Sequence, residues 1–212
     1  MTDDLIDRLT ADLRPTPKAA VARRLLLGLS VGAVVSVALV GGVLGFRPDM
    51  GVAASSMMFW MKFAYTLALA VLALWATDAL ARPARSAGGR GAWLLLPVAL
   101  VLALAAWKLL IAPPPMRGAM IMGGSAAVCP WLVITFSLPP LAGLMWAVRG
   151  LAPTRPRRAG AMIGLAAGGA GAGAYALHCT ESTAAFLAIW YTLGVLAAGA
   201  LGALLGPRML RW

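Results

Sequence analysis

Leu25 to Phe46 reads LLLGLSVGAVVSVALVGGVLGF, 22 residues without one charged side chain. At ~1.5 Å per residue such a helix rises about 33 Å, enough to cross the ~30 Å hydrocarbon core of a bilayer. A soluble helix of this length carries a polar face, and this stretch has none. Five more apolar segments follow it, near residues 57–77, 92–111, 127–148, 159–177 and 184–205. Each is close to the roughly 20 residues that a spanning helix needs. The chain of 212 residues is 61% hydrophobic and only 12% charged, about half the charge of a soluble domain. The reading is an all-α membrane protein, with a six-helix transmembrane bundle over 25–212 behind a cytoplasmic N-terminal segment, 1–24. Mixed charges precede the first apolar run and no small-residue cleavage site follows it, so that run is expected to stay as an anchor.

An even number of spans puts both termini on one side, and the basic residues choose the side. Arg8, Arg14, Lys18, Arg23 and Arg24 precede the first span, with Arg82, Arg85 and Arg90 in the second loop. Arg149, Arg155, Arg157 and Arg158 fill the fourth loop, and Arg208 and Arg211 follow the last span. The opposite face has only Arg47, Lys62, Lys108 and Arg117, a split of 14 to 4. Lys and Arg gather in cytoplasmic loops, so both termini are expected in the cytoplasm of a bacterial inner-membrane protein. The same pattern explains the net charge of +11 without nucleic acid, since no basic stripe interleaved with aromatics occurs. Trp60, Trp107 and Trp131 fall near the outer boundary and Trp75, Trp93, Trp146 and Trp212 near the inner one, as indoles prefer. Trp190 sits deeper, between helices.

Within the first 24 residues, Leu5, Ile6, Leu9 and Leu13 share one face of a short helix. Thr2 suits its N-cap, acidic residues favour its first turn, and Pro15 and Pro17 end it. Its polar face, with Asp3, Asp4, Asp7 and Asp12, would be repelled by anionic lipid. Such a helix is too short to stand alone and suits the groove of another protein.

Small residues recur every fourth position at Gly28, Gly32 and Ser36, at Gly160, Gly164 and Gly168, and at Gly194, Ala198, Gly202 and Gly206. These ridges predict close packing, above all between the fifth and sixth spans. Pro139-Pro140 falls inside the fourth span and frees carbonyls that neighbours must satisfy. Pro113-Pro114-Pro115 reads as a stiff, extended third loop.

No span carries an ionisable residue near its centre, and Lys62, Lys108 and Asp78 are expected to snorkel at span ends. Phosphate loops, catalytic triads and paired carboxylates are absent from the sequence, so an enzyme is not expected. What remains is a pair of cysteines. Cys129 opens the fourth span and Cys179 follows the fifth, which puts both on the outer face. An oxidising compartment there would let them pair, either as a structural staple or as a redox switch. With His178 and Glu181 they also offer donors for a transient soft metal ion, although no cofactor is required. Seven methionines near that face (Met50, Met57, Met58, Met61, Met116, Met120 and Met122) would suit Cu(I), but methionine at helix ends is far more often an ordinary gap-filler. A small-solute or metal transporter is the alternative function; buried polar residues or an inverted repeat would favour it.

Several motifs together resemble one family. They are Leu5-Ile6 with Leu9 and Asp12-Leu13-Arg14-Pro15, Arg47-Pro48-Asp49, Ser137-Leu138-Pro139-Pro140, Ala174-Tyr175-Ala176-Leu177-His178-Cys179, Trp190-Tyr191 and Leu204-Leu205-Gly206. Over essentially its whole length the chain resembles the NrsF family of six-helix bacterial inner-membrane proteins. That resemblance implies an anti-sigma factor for an extracytoplasmic-function sigma factor, which the cytoplasmic head would hold through Leu5, Ile6, Leu9, Asp12 and Leu13. It also implies that Cys129 and Cys179 sense metal or oxidative stress in the periplasm. In the family a Pro and an acidic residue often flank the glutamate after the second cysteine. Here Thr180 and Ser182 stand there, which favours thiol redox chemistry over a carboxylate-rich metal site.

Overall fold

Eight helices and no strand make up residues 19–82, 88–151 and 153–211, which the computed structural model describes. The expected N-terminal amphipathic helix, Arg85 and Trp212 lie outside the described residues. α1 covers Ala20–Leu44 and widens into a π turn over Val40–Leu44. A short α2, Met50–Ala54, leads into α3, Met57–Leu80, where the Ser56 hydroxyl caps the Phe59 N–H at 3.2 Å. α4, Arg90–Ile111, opens with a 3₁₀ turn, and α5 is Pro114–Met122. α6 is Cys129–Val148, α7 Pro156–Ala176, and α8 Ala184–Met209 with a second π stretch at Leu187–Tyr191.

Five of these, α1, α3, α4, α6 and α8, have the length and apolarity to cross a membrane. Their outward residues, among them Val31, Val34, Val43, Leu67, Leu100 and Leu204, are large, apolar and exposed. α7 differs. It has 21 residues, but glycine and alanine dominate it and thirteen of its residues are buried. The reason is its position. A side chain at Gly160 would strike the Gly202 backbone of α8, one at Gly169 the Thr66 and Ala70 backbone of α3, and one at Gly171 Ser137 of α6. α7 is thus the hub, and bare backbone on three sides is what lets three helices close around it.

α1 lies on α6 rather than on the hub. Gly32 meets the backbone of Pro139 and Pro140, where nothing larger fits. One turn further on, the Ser36 hydroxyl donates to the Phe136 carbonyl at 2.7 Å, with the Gly32 carbonyl 3.0 Å away. Phe136 is four residues before Pro140, which has no N–H to give it. A serine of the neighbouring helix thus supplies the donor that Pro140 lacks. Ser36→Ala would strand that buried carbonyl, and a destabilisation of roughly 1–3 kcal/mol is expected. The loss should show as a lowered thermal midpoint of the purified protein in detergent; an unchanged midpoint would mean another donor takes over.

The third loop differs from expectation. Pro114 and Pro115 do not extend the chain but occupy the first turn of α5, after Pro113 at its N-cap. Proline at the start of a helix loses nothing, because those N–H groups have no helical partner. The two ends of the bundle also differ in chemistry. At one, Arg24 donates to the Arg149 carbonyl at 3.1 Å and lies 5.3 Å from the Trp146 ring centre, and Arg90 lies 4.7 Å from that of Trp75. The other end holds the cysteines.

Candidate functional site

The loop between α7 and α8, Leu177 to Thr183, is held on every side. The Arg47 N–H donates to the Leu177 carbonyl at 3.1 Å, and the His178 Nδ1 pairs with the Gly45 carbonyl at 2.8 Å. Arg47 Nη1 reaches the Cys179 carbonyl at 3.5 Å. The Glu181 carboxylate accepts from the Gly124 N–H at 2.7 Å and the Ser125 hydroxyl at 3.3 Å, which ties the loop to the segment before α6. Thr183 donates to the Met120 carbonyl at 2.6 Å while capping α8, and Trp190 Nε1 donates to the Ile121 carbonyl at 2.8 Å. The cysteine loop therefore touches the C-terminal end of α1, the α5–α6 connection and α8 at once.

Cys129, in the first turn of α6, and Cys179 are both buried free thiols. Their surroundings differ. Cys179 lines an open cleft of about 420 Å³ together with Arg47, Tyr175, His178, Thr180 and Glu181. Cys129 is fully covered and is not on its wall. Beneath the cleft lies Lys62, 2% exposed, whose Nζ donates to the Cys179 carbonyl at 3.1 Å and stands 3.9 Å from its sulfur. The ammonium also lies 5.8 Å from the ring centre of Tyr191. Tyr191 belongs to the π stretch of α8, and its hydroxyl is completely buried without a hydrogen-bond partner. The Tyr175 ring stacks on Phe136 at 6.4 Å between centres and lies 5.9 Å from the Tyr191 ring.

The inward turn of Lys62 corrects the expectation that it snorkels. Its face explains the choice: Lys62, Tyr65, Thr66, Leu69, Ala73 and Ala76 form the buried stripe of α3, whereas Leu67, Val71 and Trp75 face outward. Helical spacing from Thr66 and the alanines would have pointed to it. Lys62 is the functional candidate that sequence reasoning missed.

At the rim, Arg47 and Asp49 form a two-pronged ion pair with both contacts at 2.7 Å. That hydrogen bonding holds the Asp49 carboxyl below its usual range and raises the Arg47 guanidinium. The pair is therefore intact at neutral pH and is lost only as pH falls through the lowered Asp49 value. No three His, Cys, Asp or Glu side chains converge as a metal-binding group among the described residues. The Glu181 carboxylate accepts from Gly124 and Ser125, and His178 Nδ1 pairs with the Gly45 carbonyl.

The sequence model of one family, described as NrsF, negative regulator of sigma F, matches residues 9–212. The chain belongs to the NrsF family. Anti-sigma-F factor NrsF of Caulobacter vibrioides is 42% identical to it over 214 residues, covering 100% of this chain and 99% of that protein. Probable anti-sigma-F factor NrsF of Azospira oryzae is 39% identical over 211 residues, with the same coverage of 100% and 99%. No solved structure matches the chain. The architecture described above, with α7 as hub and a buried lysine under the cysteine loop, is thus a picture of an NrsF protein drawn from its own residues.

Proposed function

We propose that this chain is an inner-membrane anti-sigma factor that holds an extracytoplasmic-function sigma factor at the cytoplasmic face and releases it when its cysteine pair reacts. Membership of the NrsF family over nearly the full length carries this reading. In it α7 also spans, as the fifth of six, so that both termini are cytoplasmic, in line with the 14 to 4 distribution of basic residues. The arginine-rich end then faces the cytoplasm and the cysteine end the periplasm.

The head, with Leu5, Ile6, Leu9, Asp12 and Leu13, is the sigma-binding element in this proposal, because a short amphipathic helix with acidic flanks suits the groove of another protein. Signal would pass along α1. Its outer end is tied to the cysteine loop through Gly45 and Arg47, and its inner end leads into the head. A reaction at Cys179 that moves its carbonyl away from Arg47 and Lys62 would change how α1 sits on α6.

Replacing Leu9 and Leu13 together with Asp is expected to give constitutive expression of the sigma regulon at unchanged protein level. A transcriptional reporter with a membrane immunoblot measures both. Normal repression at normal abundance would place the sigma contact elsewhere, first of all in the basic fourth loop.

A further inference from the structure

We infer that the two thiols are not equivalent: Cys179 is the sulfur that meets a thiol-reactive signal, Cys129 is the partner behind it, and Lys62 is the residue that positions Cys179 and offsets the charge of its reaction. This rests on reading the cysteines as the sensing pair. The first part follows from access, since Cys179 is on the cleft wall and Cys129 is sealed in the first turn of α6.

The second part follows from the neighbours of a buried ammonium. An unpaired charge under protein costs several kcal/mol, so a buried lysine has an anionic or strongly polar partner. Two carboxylates stand near this end, and both are engaged, Asp49 by Arg47 and Glu181 by Gly124 and Ser125. The charged or titratable groups that bear on Lys62 are Cys179, Arg47, Glu181 and Cys129. Of these the Cys179 sulfur, 3.9 Å away, is the nearest group able to take negative charge without another partner. The Tyr191 ring, its centre 5.8 Å from the Lys62 Nζ, closes the other side of the amine. The sulfur therefore has a positively chargeable donor beside it before any reaction begins. Such an arrangement stabilises charge as it develops on an attacking atom.

The chemistry is nucleophilic attack on a soft electrophile entering through the cleft. With a small disulfide, the Cys179 S–H bond breaks and a bond forms to one sulfur of the reagent. The other half leaves as a thiol with the Cys179 proton. Cys129 then attacks the Cys179 sulfur, and the second half leaves as a thiol with the Cys129 proton. The reagent is reduced to two thiols and the pair is oxidised to one disulfide. With a Michael acceptor only the first attack occurs, and the proton ends on the carbon beside the new S–C bond.

The test uses the full-length protein in lipid nanodiscs, N-ethylmaleimide as the probe, and mass spectrometry to follow each cysteine separately. Wild type is expected to label Cys179 at least ~10-fold faster than Cys129, and Lys62→Met to slow Cys179 about 10-fold. Lys62→Arg, which keeps the charge, should restore most of the rate. A merely structural lysine predicts the opposite sign, because a loosened bundle exposes both thiols and both label faster. Equal rates in wild type, or faster labelling of Cys129, would overturn the inference even if Lys62→Met failed to fold. Unchanged Cys179 labelling in a folded Lys62→Met protein would overturn the role of Lys62. Full stress induction in a double cysteine variant would instead end the sensing reading, and the labelling order would remain.

Discussion

Gly160→Val is expected to leave almost no folded protein in the membrane. A Cβ at Gly160 points into the Gly202 carbonyl of α8, with the Gly206 Cα at 2.9 Å, and a backbone has no rotamer by which to yield. Overpacking a close-packed interior costs roughly 1–3 kcal/mol where side chains can move aside. Here a whole helix would have to back away from the hub. Gly42→Val is the control, since nothing lies within 4 Å of a Cβ there. Abundance in isolated membranes and elution in detergent should be unchanged for Gly42→Val and collapse for Gly160→Val. A well-behaved Gly160→Val protein would mean that α7 and α8 do not cross as described.

The second large effect is on signalling. Cys129→Ser, Cys179→Ser and the double variant are each expected to abolish stress induction of the sigma regulon. Two residues that act as one unit do not add. All three proteins should still insert and still repress, because the proposed sigma contact lies in the head. A staple predicts another result: lower abundance and leaky expression before any stress, since losing a closed loop of this size removes roughly 4 kcal/mol. Reporter activity with and without stress, normalised to membrane protein, separates the two. Full induction in any single variant would show that the pair is not the unit.

Much of the fold was legible because lipid leaves its mark on composition. The segment expected near 57–77 is Met57–Leu80, and the one near 92–111 is Arg90–Ile111. The glycine ridges were legible too, since Gly160, Gly164 and Gly202 do meet across α7 and α8. That both cysteines share one end followed from helix parity alone. What was hidden depended on facing and on backbone atoms. Lys62 stands near a span end, so depth alone predicted snorkelling, whereas its companions Tyr65 and Thr66 decide that it turns inward. The Tyr191 ring comes to lie with its centre 5.8 Å from the Lys62 Nζ through a π turn, which shifts the register that regular spacing assumes. The partners of His178 and Glu181, the backbone of Gly45 and of Gly124, were equally hidden, since they are main-chain groups brought near only by the fold. The three prolines after Ala112 were misread because polyproline extension and a helix start use the same φ.

The composition of α7 bears on how the protein is made. In the six-span arrangement, this helix of glycine and alanine gains little by leaving water for lipid alone. Its preference for the membrane comes from the helices that close around it, and α8, its partner along Gly160, Gly164 and Gly168, is synthesised after it. Insertion of the fifth span is thus coupled to that of the sixth. In that arrangement the pair enters as a hairpin whose tip is the cysteine loop, so the loop crosses the bilayer in the same event that completes the bundle.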